Sequence, residues 1–380
     1  MRVLALVPYP FDTAPGQRYR IEQWAPLLKQ SGIEITFAPF RSDALHSLLS
    51  RPGNTSRKVF LTALESVRRL KVLKLINECD LVYVYKEAAL VGPAVIEHYI
   101  GLKGVPMVFD FDDAIYMHSP YGTPFNRYFR LLKLPEKTAK ICALASHVLV
   151  GNTHLAAYAA RFNRHITIVP STIDTKKYKV NGFRREGNCP VIGWSGSYST
   201  LPHFNLVSRA LTRLAQREKF RVRLIGTATD HKIDGVEVES VLWQAKTEVT
   251  DLASIDIGIM PLPDDEWSRG KCGQKALQYM ALGIPAVCSP VGANSTIIQD
   301  GENGLLAATE DQWIEKLTQL LRSPLLRERL GKAGRATVAA GYSLSLHAPR
   351  VEQVFKSAVK QPKPGSLPFE SRTISDEALP

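Results

Sequence analysis

DIGIMPLPDDEWSRGKCGQKALQYMALGIPAVCSPVGAN, residues 256–294, is the stretch on which the fold turns. DIGIMPL (256–262) is short, apolar and rich in β-branched residues, as suits a parallel strand covered on both faces. A helix follows, because Ala276, Leu277, Met280 and Ala281 recur at helical spacing and Gly283 with Pro285 supply a stop. PAVCSPVG (285–292) then reads as the next strand, completing a strand–helix–strand unit. Gly273 and Gln274 open the helix, with Lys271 and Lys275 four positions apart around them. A helix start gathers unpaired N–H groups and positive dipole, so it favours an anion. The two lysines fall on the same side of the first turn and strengthen that preference. On these residues alone a phosphate site and a solvated basic face both remain open.

The same rhythm extends in both directions. VLALVP (3–8), IEITFAP (33–39), LVYVY (81–85), PMVFDF (106–111), HVLVG (147–151) and HITIVP (165–170) read as strands, with helical segments such as 20–32 and 61–78 between them. The rhythm lapses over the polar run 171–190 and resumes with VIGWSGS (191–197), FRVRLIGT (220–227) and, after residue 294, GLLAA (304–308). The expected class is α/β: two Rossmann-like, doubly wound domains facing a cleft. Residues 1–173 form the first, 174–190 the linker, 191–342 the second and 343–360 a closing helix; the Pro/Ser-rich 361–380 is expected to be disordered. Ligands of open α/β sheets bind beyond the carboxyl ends of the strands, so Lys271 and Lys275, just after DIGIMPL, should face the cleft.

Composition narrows the class. Apolar residues make up 45% and charged ones 22% of the 380, the values of an ordinary soluble globular protein, and no apolar run is long enough to span a membrane. The opening MRVLALVPYPFD has no small-residue cleavage site and reads as a first strand. Cys79, Cys142, Cys189, Cys272 and Cys288 are dispersed without a C-x-x-C pair, which argues for a reducing cytosol and against disulfides and zinc. The net charge of +12 is uneven: residues 1–180 hold 24 Lys+Arg against 14 Asp+Glu, and the remainder 24 against 22. A basic first half suggests an anionic surface or acceptor. Residues 57–74, with Arg68, Arg69, Lys71 and Lys74 beside Leu64, Val67, Leu70 and Leu73, could rest on an anionic membrane, as could 127–140. The alternative is a pair of ordinary sheet-covering helices. Nucleic acid is not expected, since no recognition module is present.

Taken in order, VIGWSGSYST, RLIGT, DIGIMPL, GKCGQKALQYMALGIPAVCSPVGAN and DGENGLL resemble the C-terminal domain of glycosyltransferases of the GT-B fold, most closely the large retaining group 1 family. IVPSTIDTKKY (168–178) resembles that family's inter-domain stretch, and the resemblance runs from Met1 to about Lys360. It implies transfer of a sugar from a nucleotide-diphosphate donor, held mainly by the second domain, to a hydroxyl of a glycan or lipid-linked acceptor. Retention of configuration, no covalent nucleophile, no cofactor and no essential metal are implied with it. The implied setting is synthesis of bacterial surface polysaccharide, lipopolysaccharide or glycolipid, in the cytoplasm or peripherally on the inner face of the plasma membrane.

The departures are specific. The family's pair of glutamates, eight positions apart, falls on Gly270 and Gln278, of which only Gln278 can still hydrogen-bond a ribose. The loop after the first strand of the second domain lacks the family's Arg and Lys, with Trp194 near the expected arginine; Gly193, Ser195 and Ser197 remain there as donor-side candidates. Lys271 and Lys275, with the N–H groups of Cys272 and Gly273, are therefore expected to take over part of the diphosphate clamp. APGQRYR (14–20) places Gly16 for close backbone approach and Arg18 and Arg20 for phosphate. In DFDDAIY (110–116), clustered aspartates are costly unless solvated, protonated or paired with cations, and Asp112 and Asp113 occupy the positions from which the family acts on the acceptor side. A nucleotide-sugar epimerase and a non-catalytic nucleotide-sugar or anionic-polymer binding protein are the rival readings.

Overall fold

The structure, a computed structural model, describes residues 1–49, 53–120, 134–179, 189–227 and 231–360. The first sheet holds β1 (Arg2–Val7), β2 (Glu34–Pro39), β3 (Leu81–Tyr85), β4 (Met107–Phe111), β5 (His147–Val150) and β6 (Ile166–Ile168), in the order β2-β1-β3-β4-β5-β6. The second holds β7 (Val191–Ser195), β8 (Arg221–Ile225), β9 (Glu237–Val241), β10 (Ile257–Met260), β11 (Ala286–Cys288) and β12 (Leu305–Leu306), in the order β12-β11-β10-β7-β8-β9. All pairings within the two sheets are parallel. Two α/β domains are what the alternating strand and helix segments require.

The winding direction reverses between β1 and β3 in the first sheet and between β10 and β7 in the second. At such a switch the connections leave in opposite directions and open a crevice beyond the carboxyl ends. The first crevice is edged by the Gly16 turn after β1 and Lys86 after β3; the second lies between Ser195 and the loop that runs from β10 to the Gln274–Ala281 helix. β3, β4 and β10 are buried along their whole length, which is why they read as largely apolar runs, broken in β4 by Asp110.

The Gln274–Ala281 helix buries six of its eight residues. It lies close on β10 because Gly258 has no side chain: a Cβ there would come within 2.3 Å of the Tyr279 ring. The Leu344–Lys360 helix crosses back to the first domain, where Val351, Phe355 and Ala358 join Val3, Ala5, Trp24 and Tyr83 in one core. A parallel bridge between Ile173 and Ser343 marks where the two chain segments pass between domains.

Some elements differ from expectation. β9 is an additional strand: its glutamates alternate along a sheet edge, with Glu239 paired to Arg223 at 2.7 Å, so it carries no apolar run. The expected helix 20–32 divides into a π-helical turn, Arg18–Glu22, and a helix Ala25–Gln30 that begins around Pro26. The segment 61–78 is part of two helices, Thr55–Arg69 and Val72–Ile76. Arg69 is no surface cation; it is buried and donates to the carbonyls of Ala38 and Ala88. Of the basic stretch 127–140, residues 127–133 lie outside the described residues, and Lys137 is buried against Glu87 at 2.6 Å. Most of the linker and the tail 361–380 also lie outside them.

Candidate functional site

The three aspartates of DFDDA separate at the end of β4, and each meets a cation. Asp110, inside the strand and fully buried, takes a two-pronged contact from Arg20 at 2.6 and 3.1 Å and a hydrogen bond from the Tyr83 hydroxyl. Arg20 is thereby a core residue and not a phosphate contact. Asp112 accepts from the Tyr85 hydroxyl at 2.8 Å and lies 3.0 Å from Lys86 Nζ, both on Oδ1. Its Oδ2 faces Gly16, where a Cβ would sit 3.4 Å from Oδ2 and 2.8 Å from Tyr85 Oη. Gly16 thus keeps open the space in front of this carboxylate. Asp113 is held by Lys86 at 2.5 Å and by Lys271, from the second domain, at 2.7 Å. Burial alone would raise Asp113; Lys271 and Lys86 outweigh it and hold the carboxyl well below the usual carboxylate range. Lys86 has a left-handed backbone, φ +62°, an uncommon conformation for a residue with a side chain.

The second domain meets this cluster through GKCGQK. Gly270 lies against Ala114, and a Cβ at 270 would approach its Cβ to 2.9 Å, so the glutamate that the family resemblance leads one to expect has no room. The Cys272 thiol faces the first domain, donating to the Asp112 carbonyl at 3.2 Å, while Asn152 Nδ2 donates to the Lys271 carbonyl at 3.1 Å. Gly273, at φ +68°, is the N-cap of the Gln274–Ala281 helix, and no side chain caps it. The N–H groups of Cys272 and Gly273 have no backbone partner among the described residues.

Lys271 and Lys275 part company in their partners. Lys271 pairs with Asp113 and stands over the Trp267 ring at 5.3 Å. Lys275, partly buried, stands over the Trp194 ring at 5.7 Å and has no carboxylate within ion-pair distance among the described residues. Burial and the neighbouring Lys271 push it down to about 8. Trp194, the residue in the arginine's place, therefore offers a π face to an ammonium from the next loop. His203 belongs to the same basic pocket; burial, then Lys275 and Lys271, push it down to about 4, so its imidazole is neutral at pH 7. Gln274, the first residue of the helix, has both side-chain polar atoms buried without a hydrogen-bond partner.

Other candidates turn out to be occupied with the protein itself. Arg18 is bonded to Glu248, a buried carboxylate of the second domain, and is not free for phosphate. Gln278 is buried, and its Nε2 points at the Tyr19 hydroxyl (2.8 Å), the Tyr178 hydroxyl (3.1 Å) and Glu248 (3.2 Å). Tyr19 of the first domain, Tyr178 of the linker and Glu248 of the second domain fill the space in which the amide was expected to meet a ribose. Gly193 lies within β7, where its missing side chain admits Ile255; a Cβ would lie 2.3 Å from Ile255 Cγ2. Ser195 ends β7, its N–H donating to Tyr279 at 2.9 Å, and Ser197 is exposed beyond it, capping the turn Tyr198–Thr200. Sequence reasoning missed Lys86, Tyr85, His203 and Glu248. Lys86 had a signal, a lysine directly after a buried parallel strand; Glu248 had none.

The arrangement is two facing carboxyl-end crevices with the Asp112 and Asp113 carboxylates on one side and a lysine-bearing helix start on the other. Comparisons with known proteins bear on the fold that carries these groups. Residues 189–323 match the family described as Glycosyl transferases group 1. Over 89 residues the chain is 38% identical to a D-inositol 3-phosphate glycosyltransferase of Frankia alni, covering 23% of this chain and 22% of that protein. It is 30% identical over 82 residues to spore coat protein SA of Bacillus subtilis, covering 21% and 22%. The chain thus spans about a fifth of the length of these curated relatives. Among solved structures, the Anabaena protein HepE in complex with UDP-glucose superimposes with a TM-score of 0.68 at 14% identity, over 94% of this chain and all of that one. A sucrose-phosphate synthase from Thermosynechococcus elongatus gives 0.66 at 16% identity, over 94% and 99%. Residues 189–323 therefore match a group 1 glycosyltransferase domain, and the chain's two-domain fold is of the GT-B type.

Proposed function

We propose that the chain transfers a sugar from a nucleotide-diphosphate donor to a hydroxyl of a glycan or lipid-linked acceptor, with retention of configuration. The observation that carries this reading is Lys275: a partly buried ammonium with no carboxylate partner among the described residues, at an uncapped helix start beside Lys271. A diphosphate supplies the missing negative charge, and its oxygens suit the free N–H groups of Cys272 and Gly273. As the sugar–phosphate bond breaks, negative charge grows on the leaving diphosphate, and this cationic pocket stabilises it. Asp112 acts on the acceptor: Tyr85 and Lys86 fix Oδ1, and Oδ2 faces the space over Gly16, where an acceptor hydroxyl can hand over its proton. Asp113, kept ionised by two lysines, is a poor proton acceptor and serves to position Lys86 and Lys271.

No step in this scheme calls on a metal, because lysines and helix N–H groups carry the charge stabilisation. We place the reaction in the cytoplasm, in assembly of a surface polysaccharide, lipopolysaccharide or glycolipid. The test is consumption of nucleotide sugars by the wild-type chain and by Asp112→Asn. A second reading, a non-catalytic nucleotide-sugar binding protein, draws on the sequestered Gln278 amide. It expects binding without turnover.

A further inference from the structure

The Thr55–Arg69 helix is built inside out. Its inward positions are Lys58, Thr62, Glu65 and Arg69, all buried, while Val59, Phe60 and Val67 are 51%, 66% and 66% exposed and Leu70, at the C-cap, is 52% exposed. Phe60, Ala63, Val67 and Leu70 follow helical spacing and form one outward apolar ridge. Arg57, Arg68, Lys71 and Lys74 flank it, all exposed. A helix that only covers a sheet turns its apolar stripe inward; this one turns polar anchors inward beside Leu61, which packs on Phe40, Leu45 and Leu90, and leaves a second apolar stripe outside. Arg69 fastens it to the carbonyls of Ala38, at the end of β2, and Ala88, just beyond β3. That is the same edge of the first sheet that carries Lys86 and Asp112.

We infer that this face docks on an anionic phospholipid bilayer, with Phe60, Val67 and Leu70 entering the headgroup boundary and Arg57, Arg68, Lys71 and Lys74 meeting lipid phosphates. An apolar ridge bordered by cations is complementary to a surface that is apolar beneath and negative above, whereas a water-exposed ridge of this kind has no use on its own. No helix among the described residues is long and apolar enough to cross a membrane, so the attachment is peripheral and reversible. Docking there sets the mouth of the cleft at the bilayer, where a lipid-linked acceptor would lie; that consequence rests on the transfer reading above, but the docking does not.

The experiment is co-sedimentation of the full chain with vesicles of phosphatidylcholine alone and of phosphatidylcholine mixed with phosphatidylglycerol. Binding should be tenfold or more stronger to the mixed vesicles and should fall as salt rises. Phe60→Ser with Val67→Ser should weaken it about a hundredfold at any salt concentration, the scale for two apolar side chains withdrawn from the boundary. Lys71→Glu with Lys74→Glu should weaken it at least twentyfold, at about fivefold per cation lost. All four positions are at the surface, so the variants should keep the wild-type melting temperature and nucleotide affinity. Equal binding to both vesicles, no binding to either, self-association that depends on Phe60 with vesicles ignored, or variants that bind as wild type would each overturn the inference. Loss of nucleotide binding with vesicle binding intact would instead count against the transfer reading alone.

Discussion

Lys275 makes the affinity for a nucleoside diphosphate depend on pH in a direction and window that the structure sets. Its ammonium lies in a partly buried site beside Lys271, and burial is the main reason its proton is released near 8, below the ordinary lysine value. A diphosphate restores the ordinary preference for the charged form. Above about pH 8 binding must therefore take up a proton, and affinity should fall toward tenfold per pH unit, since one pKa unit corresponds to about 1.4 kcal/mol. Lys275→Ala should weaken binding at pH 7 by about 2 kcal/mol, the scale of a charge-assisted hydrogen bond, and should flatten the pH dependence. The ligand-free protein changes in the opposite sense. Between about 8 and the unfolded lysine value the unfolded chain binds more protons at this site, so the contribution of Lys275 to stability rises with pH across that window. Isothermal titration in two buffers of different ionisation enthalpy, at pH 7 and 9, measures affinity and proton uptake together. Affinity that is flat from pH 7 to 9.5, or equal in wild type and Lys275→Ala, would refute the reasoning.

Other outcomes follow from the same geometry. Asp112→Asn should keep the fold and donor affinity yet lower turnover by roughly a hundredfold or more, as removal of a positioned base does; steady-state kinetics beside a binding titration checks it. Glu248→Ala leaves the buried Arg18 guanidinium with only the half-exposed Asp12 at 3.4 Å and should cost about 3 kcal/mol of stability, read by denaturant unfolding. Gly270→Glu should weaken the approach of the two domains, because Ala114 occupies that space, and should raise the amide exchange of Asn152 and Ala114. EDTA should leave turnover unchanged.

The sheets were legible because parallel strands covered on both faces are largely apolar, so β3, β4 and β10 announce themselves at nearly their observed bounds. β9 was not, since an edge strand with Glu237 and Glu239 facing Arg221 and Arg223 has the composition of a loop. In the candidate site, strand-end logic singled out Asp112 and Asp113, which follow β4 directly, and Lys271 and Lys275, which flank a helix start. It failed for Arg18 and Gln278. Their partners Glu248, Tyr19 and Tyr178 come from three separate chain segments, and only the approach of the domains brings them together. The outward ridge of Phe60 and Val67 was unreadable for a related reason. An amphipathic pattern gives the stripe but not which side faces the sheet, and here Arg69 settles it through two backbone carbonyls.

The central claim, sugar transfer from a nucleotide-diphosphate donor, is tested most directly by nucleoside diphosphate release. Labelled nucleotide sugars would be incubated one at a time with the full chain and a crude extract of lipid and glycan acceptors. The account predicts that at least one donor releases its diphosphate while labelled sugar enters the extract, and that both signals collapse in Asp112→Asn. A chain that binds a nucleotide sugar yet leaves it intact throughout, with the same extract present, would contradict it.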